Sequence, residues 1–114
     1  MIDESLTVLL PVYNEQDNMK PMLEELDPIL KNLFKEYVIL VVESGSTDNT
    51  AMVLEGLKKG YSHLEVINEG AKKGLGSGIK IGLKNVKTDI VVYMDSDLPF
   101  DLKVLERVFP IEKD

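Results

Sequence analysis

Four short apolar runs divide the chain at similar intervals. Two of them, residues 38–42 and 90–93, are rich in β-branched side chains and show no polar alternation, which is typical of strands covered on both faces in a parallel sheet. The four runs predict four strands. They read LTVLLPV at residues 6–12, YVILVV at 37–42, LEVI at 64–67 and DIVVYM at 89–94.

The segments between these runs carry helical patterns. In the first segment, apolar residues recur at spacings of three and four and predict one stripe along a helix. The residues of this stripe are Met19, Met22, Leu23, Leu26, Leu30 and Leu33. Pro28 falls within the stripe and is expected to kink or interrupt the helix, because proline has no amide hydrogen to donate. In the second segment, Ser46, Thr47 or Asp48 is expected to cap a helix that ends at Gly60.

The third connecting segment is rich in glycine and is expected to bury one apolar face, formed by Leu75, Ile79, Leu83 and Val86. Residues 101–114 have the spacing of one more short helix, stopped by Pro110. The alternation of strand and helix predicts a single α/β domain over residues 1–114, with a Rossmann-like, mostly parallel sheet of about four strands and flanking helices. The sheet is expected to end abruptly after its fourth strand.

Composition narrows the classes of partner. The chain has 114 residues, 44% of them hydrophobic and 29% charged, with a formal net charge of −7, which argues against nucleic acid and anionic lipid as partners. It has no cysteine, which excludes disulfides and thiolate metal sites. Acids stand where a signal peptide carries bases, and no apolar run approaches the ~18 residues of a spanning helix, so we expect a cytoplasmic protein.

Polar motifs follow each of the four predicted strands. Ligands of open α/β sheets bind at the carboxyl ends of the strands, so these motifs are expected to face one cleft. They read PVYNE at residues 11–15, ESGSTD at 43–48, NEGAKKGLGSG at 68–78 and DSD at 95–97.

The DSD motif is a candidate metal site. The carboxylates of Asp95 and Asp97 would repel each other unless a cation lay between them. Mg2+ and Mn2+ prefer carboxylate oxygen and complete their coordination with water and substrate phosphates. The alternative is that one aspartate caps the helix predicted to begin near Asp101 while the other is solvated. The motif alone leaves both interpretations open.

The glycine-rich segment KKGLGSGIKIG is a candidate anion site. Its glycines allow backbone amides to approach a phosphate at a helix start, and Lys72 and Lys73 add positive charge. The segment matches neither G-x-G-x-x-G nor a P-loop. The alternative is that its small residues let the third helix pack tightly on the sheet.

Several other polar residues also have two interpretations. Ser46 and Asp48 can join Glu43 and Ser44 in a polar pocket, or they can simply begin a helix. Tyr13 and Glu15 can contact a base, or Glu15 can begin the first helix with a charge that favours its dipole. His63 is expected to be a surface or boundary residue rather than a catalyst. The sequence has no nucleophile elbow and no Cys/His pair, which argues against acyl transfer.

In this order and spacing, the motifs PVYNE, ESGSTDNT, NEGAKKGLGSGIKIGL and VVYMDSDLPF resemble family 2 glycosyltransferases of the GT-A fold. The similarity extends over residues 6–102 and is greatest to the donor-binding half of dolichyl- and polyprenyl-phosphate sugar synthases. It implies that the chain binds a UDP- or GDP-linked sugar through Mg2+ or Mn2+. The sugar would be transferred to an acceptor such as polyprenyl phosphate.

The resemblance and the glycine-rich segment together supply the candidate nucleotide-binding residues, which are Pro11, Tyr13, Glu15, Glu43, Ser44, Lys73, Gly74 and Asp95. By resemblance, Asp97 is the direct metal contact, and Asp95 reaches the metal or the ribose. The family's catalytic base and its acceptor-binding half lie downstream of D-x-D, so transfer by this chain is expected to be incomplete. Two further departures are Ser44, where the family commonly has a second acid, and Pro99, where related enzymes often have a polar metal ligand.

Two other classes of function compete with a glycosyltransferase. One is a non-catalytic nucleotide-binding or assembly module, which would use the exposed sheet edge to form a homo-oligomer. The other is a receiver-type phosphoacceptor domain. It fits poorly, because its acids gather after the first and third strands, whereas the first strand here ends in PVYNE.

Overall fold

The computed structural model describes residues 2–70 and 75–94. Strands and helices alternate through this part of the chain, and they begin close to the residues that the apolar runs predict. In chain order they are β1 (Leu6–Val12), α1 (Met19–Leu33), β2 (Tyr37–Glu43), α2 (Thr50–Leu57), β3 (Leu64–Asn68), α3 (Leu75–Lys84) and β4 (Ile90–Tyr93). The predicted α/β fold class is confirmed. The helix predicted in residues 101–114 lies outside the described residues.

The described strands form one parallel sheet with the order β3-β2-β1-β4. The backbone ladder between β1 and β4 continues one residue past β4, where the Met94 N–H donates to the Leu9 carbonyl at 3.0 Å. Because the strands are parallel, their carboxyl ends open onto one edge. The winding reverses at β1, between β2 and β4, and such a switch point is where open α/β sheets bind ligands.

Helices α1 and α2 cover one face of the sheet. They pack with alternate residues of β1 and β2, and the main buried members of this core are Val8, Leu10, Met22, Leu23, Leu26, Leu30, Ile39, Val41 and Leu54. The apolar stripe predicted along α1 is confirmed, with Leu33 only half-buried at its end. No helix in residues 2–70 and 75–94 has the length and hydropathy needed to cross a bilayer.

Pro28 does not interrupt α1, which runs unbroken from Met19 to Leu33. That part of the prediction is wrong, and the reason is the side of the helix on which Pro28 lies. Pro28 and Glu24 are both exposed, so water can satisfy the Glu24 carbonyl that proline leaves without a donor.

Helix α3 covers the other face of the sheet and contacts β1 and β2. Its backbone rests directly on Leu9, because a Cβ added at Gly82 would lie only 2.3 Å from the Leu9 Cδ1. This supports tight packing as the role of Gly82. The predicted apolar face of α3 is wrong at Leu83, which is 49% exposed, because the close approach at Gly82 turns the next side chain away from the sheet.

His63 lies at the amino end of the sheet, away from the polar motifs. Its ring stacks on Tyr37 with the centroids 4.0 Å apart, and its Nδ1 lies 2.9 Å from the Tyr37 carbonyl oxygen. The Tyr37 hydroxyl donates to Asp27 at 2.7 Å. Burial and this carboxylate raise the pKa of Tyr37 above its ordinary value. The prediction that His63 is a boundary residue is confirmed.

Candidate functional site

Asn14 joins the loops that follow β1 and β2. Its φ of 53° lies in the left-handed region, which asparagine tolerates better than most residues with a side chain. Its Oδ1 accepts from the amides of Thr47 at 2.8 Å and Asp48 at 3.3 Å, and its own amide donates to the Ser46 Oγ at 3.0 Å. Its Nδ2 donates to the Thr47 Oγ1 at 3.1 Å. Asn14 therefore holds the second loop against the first.

Three further hydrogen bonds reinforce this connection. The Glu15 amide donates to the Thr50 Oγ1 at 2.8 Å, and the Gln16 amide donates to the Asp48 carboxylate at 3.4 Å. The Asn49 amide donates in return to the Gln16 Oε1 at 2.8 Å. The two loops are therefore joined by a network of hydrogen bonds at the carboxyl ends of the two central strands.

Helix α2 begins at Thr50. This is later than the start expected from a cap at Ser46, Thr47 or Asp48. Asn49 is its N-cap residue and makes no side-chain cap hydrogen bond. The Asp48 Oδ1 accepts from the Thr50 hydroxyl at 2.5 Å and from the Thr50 amide at 2.9 Å, and hydrogen bonding to Thr50 lowers the pKa of Asp48. Ser46 and Thr47 do not cap the helix, because they face Asn14 instead. Asp48 does accept from the first amide of the helix, although Asn49 holds the N-cap position.

Three predicted site residues lie at the end of β1. Pro11 is half-buried in β1, and Tyr13 is half-buried just beyond it. Glu15 follows, and its carboxylate accepts from the Asn18 Nδ2 at 2.6 Å. Because α1 begins only at Met19 and has no acid in its first turn, the alternative that Glu15 begins this helix is wrong. The structure therefore keeps all three residues beside the strand end.

Glu43 and Ser44 lie at the end of β2, with 3% and 7% of their surfaces exposed. The Glu43 carboxylate accepts a hydrogen bond from the Ser46 amide, which closes the turn after the strand. The Ser44 hydroxyl donates to the Glu69 Oε1. Glu69 follows β3, and its amide donates to the Glu43 carbonyl at 2.8 Å. The carboxylate of Glu69 therefore lies beside Ser44. Ser44 occupies the position at which the family commonly has a second acid.

Side chains from three strand ends converge on Gly78 in α3. A Cβ built at Gly78 would lie 3.6 Å from the Pro11 Cβ, the Ser44 Oγ and the Glu69 Oε1. Helix α3 therefore covers one side of the Ser44–Glu69 pair. The predicted motifs contain Asn14, Glu69 and Gly78, but the sequence reasoning gave neither Asn14 nor Glu69 a role of its own and did not foresee the contacts of Gly78 with Ser44 and Glu69. For Asn14 a signal was present, since asparagine in a turn is typical of the left-handed conformation.

The strand ends that the structure describes are acidic. Residues 11–18, 43–50 and 68–70 contain no lysine or arginine, and their acids are Glu15, Asp17, Glu43, Asp48 and Glu69. A diphosphate would be repelled here unless a cation offset its charge. In residues 2–70 and 75–94, no group of three or more His, Cys, Asp or Glu is arranged to hold a metal ion.

The predicted site residues Lys73, Gly74, Asp95 and Asp97 lie outside the described residues, so their roles stay predictions. The structure does describe the chain up to Met94, which lies beside Leu9 of β1. Asp95, the first residue of the D-x-D motif, directly follows Met94 in the chain. The motif therefore begins next to the switch point between β1 and β4.

Comparisons with known proteins agree with this architecture. The sequence profile described as "Glycosyl transferase family 2" matches residues 7–111. A mannosyltransferase from Pyrobaculum calidifontis, solved in complex with GDP-Man and Mn2+, is 27% identical with a TM-score of 0.69, and the match covers 88% of this chain and 30% of that protein.

A glucosyl-3-phosphoglycerate synthase from Mycobacterium tuberculosis was solved with Mn2+, UDP-glucose and phosphoglyceric acid. It is 26% identical with a TM-score of 0.72, and the match covers 95% of this chain and 39% of that protein. The chain therefore spans between 30% and 39% of the length of these two proteins.

Proposed function

The chain belongs to glycosyl transferase family 2, and from this we propose that its polar strand ends form the donor site of a glycosyltransferase. The site would bind a nucleotide-diphosphate sugar with a divalent metal ion, for transfer of the sugar to an acceptor. The observation that carries this proposal is the meeting of three polar segments, residues 11–18, 43–50 and 68–70, at one edge of a parallel sheet. That edge contains the switch point at which such sheets bind ligands.

We propose that the nucleotide lies across this edge, with its base near β2 and β3 and its diphosphate near β4. Neighbouring strands lie ~4.8 Å apart, so β3 and β4 are separated by roughly 14 Å, a span that an extended nucleoside diphosphate can bridge. Pro11, Tyr13 and Glu15 follow the central strand between these two regions. They would contact the base and ribose as the nucleotide crosses β1.

The proposed metal ligands are Asp95 and Asp97, with Asp97 in direct contact and Asp95 reaching the metal or the ribose. Their carboxylates suit Mg2+ or Mn2+, and the acidic strand ends need a cation before a diphosphate can approach. When bound, the ion would neutralise charge on the departing nucleotide. Lys73 and Gly74 would contact the diphosphate. Both similar structures contain Mn2+ and a nucleotide sugar, which supports this assignment.

The acceptor and the catalytic base are further parts of the proposal. The resemblance of the motifs supports polyprenyl phosphate as the acceptor. It also supports a catalytic base downstream of D-x-D. A cytoplasmic location also stays a prediction.

An assembly role is the second candidate function, and the exposure of β4 favours it. This strand lies at an edge of the described sheet, and Val91 and Tyr93 are 40% and 46% exposed on it. A homo-oligomer formed through this edge would cover both side chains. Such an assembly would be independent of nucleotide and metal.

Calorimetric titration with GDP-mannose and UDP-glucose, each with and without Mn2+, tests the donor site. We expect Mn2+ to tighten binding of at least one donor at least about tenfold, which is ~1.4 kcal/mol. Asp97→Asn should abolish this enhancement, because an amide cannot replace an anionic ligand. Asp3→Asn is the matched control, since Asp3 is an exposed acid at the amino end of the sheet, and it should retain the enhancement.

Two outcomes would contradict the proposal. If neither donor shows saturable binding to the native chain, the strand ends are not a donor site, and an assembly module becomes the better account. If Asp97→Asn and Asp3→Asn retain the same Mn2+ enhancement, Asp97 does not hold the metal.

A further inference from the structure

The wall formed by Ser44 and Glu69 presents hydrogen-bond acceptors. Ser44 has one hydroxyl hydrogen and donates it to the Glu69 Oε1, so its oxygen has only acceptor capacity left for a ligand. An ionised carboxylate also only accepts, which applies to Glu69 and to the neighbouring Glu43. The chemical character of this wall is therefore set by a contact between β2 and β3.

The backbone donors of this wall are also engaged. The Ser44 amide donates to the Val12 carbonyl at 3.1 Å, and the Glu69 amide donates to the Glu43 carbonyl at 2.8 Å. The Ser46 amide donates to the Glu43 carboxylate. The amide and hydroxyl donors of Ser44, together with the amides of Ser46 and Glu69, are thus unavailable to a base placed against them.

Guanine and uracil differ in what they present to such a wall. Guanine carries two adjacent donors, N1–H and the N2 amino group, and a carboxylate accepts two parallel N–H bonds well. Uracil carries one N–H between two carbonyl oxygens, so its carbonyls would face the acceptors of Ser44 and Glu69. A buried acceptor placed against another acceptor loses its hydrogen bond to water without replacement, which disfavours uracil.

From this geometry we infer that the donor site selects guanine over uracil, with Glu69 as the specificity-determining residue and Ser44 as the residue that positions its carboxylate. The inference rests on the proposed donor function and narrows the donor to a GDP-linked sugar. Gly78 of α3 lies beside the pair, since a Cβ built there would be 3.6 Å from both the Ser44 Oγ and the Glu69 Oε1.

The test is the ratio of the dissociation constants for UDP and GDP, measured by calorimetry with Mn2+ present. We expect the native chain to bind GDP at least about tenfold more tightly than UDP. Glu69→Gln should reduce this ratio to less than about threefold, because its amide group supplies a donor that a uracil carbonyl can accept. Ser44→Ala should also lower the ratio, because it removes the hydrogen bond by which Ser44 orients the carboxylate. The matched control is Glu65→Gln, an exposed position on the same strand, which should leave the ratio unchanged.

The ratio separates selectivity from folding, since partial unfolding weakens both nucleotides equally. If the native chain binds UDP as tightly as GDP, or if Glu69→Gln leaves the ratio unchanged, the inference is wrong while the donor site stands. If neither nucleotide binds, the proposed function fails and the inference fails with it. Should Glu69→Gln not fold, the native ratio and Ser44→Ala still decide the matter.

Discussion

Replacement of Asn14 by alanine is expected to lower the free energy of unfolding by about 2–4 kcal/mol. Alanine is strained by ~1–2 kcal/mol at a left-handed φ such as the 53° of Asn14. The substitution also removes the acceptor for the Thr47 and Asp48 amides, and each lost hydrogen bond costs ~1 kcal/mol. Urea denaturation followed by circular dichroism measures the change, provided that the denaturant slope is unaltered.

Two further variants at this position separate its contributions. Asn14→Gly relieves the strain but removes the side chain, so it should cost about 1–2 kcal/mol less than Asn14→Ala. Asn14→Asp keeps the acceptor oxygen and should be the mildest of the three. If Asn14→Gly is as stable as the native chain, the hydrogen bonds to the second loop contribute nothing and the loops are held together in another way.

For donor binding, we expect Asn14→Ala to weaken affinity in solutions where the chain is fully folded, because the loop that carries Tyr13 and Glu15 would lose its position.

A second large effect is expected for Gly82→Ala, which should lower the free energy of unfolding by about 2 kcal/mol. The added methyl group would lie 2.3 Å from the Leu9 Cδ1 and 2.9 Å from its Cδ2. Leu9 is fully buried beneath α3, so it cannot move without disturbing its neighbours. Overpacking of this kind costs ~1–3 kcal/mol, and the better helix propensity of alanine offsets up to ~1 kcal/mol of that cost.

Gly78→Ala is the matched control on the same helix. Its added methyl group would make contacts of 3.6 Å, an ordinary van der Waals distance, so the variant should be as stable as the native chain or up to ~1 kcal/mol more stable. A double-mutant cycle with Leu9→Ala identifies the cause, because removing the leucine side chain should relieve the cost of Gly82→Ala. Equal stability of Gly78→Ala and Gly82→Ala would show that α3 moves away from the sheet without loss.

The fold was largely predictable because its signals are local. Residues 38–42 read as a buried strand and the α1 stripe as one helix face, since each periodicity belongs to one element. The shared location of the polar motifs also followed from the sequence, because parallel strands place their carboxyl ends at one edge. The predictions that Pro28 would interrupt α1 and that Leu83 would be buried were wrong. Both depend on which side of a helix faces the rest of the protein, which the sequence pattern did not fix.

The amino-acid sequence by itself therefore determined the order and type of the elements, the parallel sheet, and the edge at which polar groups gather. Only the tertiary structure decided which of those groups touch. It paired Ser44 with Glu69, set Asn14 against Thr47 and Asp48, and placed the backbone of Gly82 on Leu9. These contacts join residues that are 25 or more positions apart. Their geometry depends on strand register and on the approach of a helix to the sheet, and no local pattern of side chains encodes either.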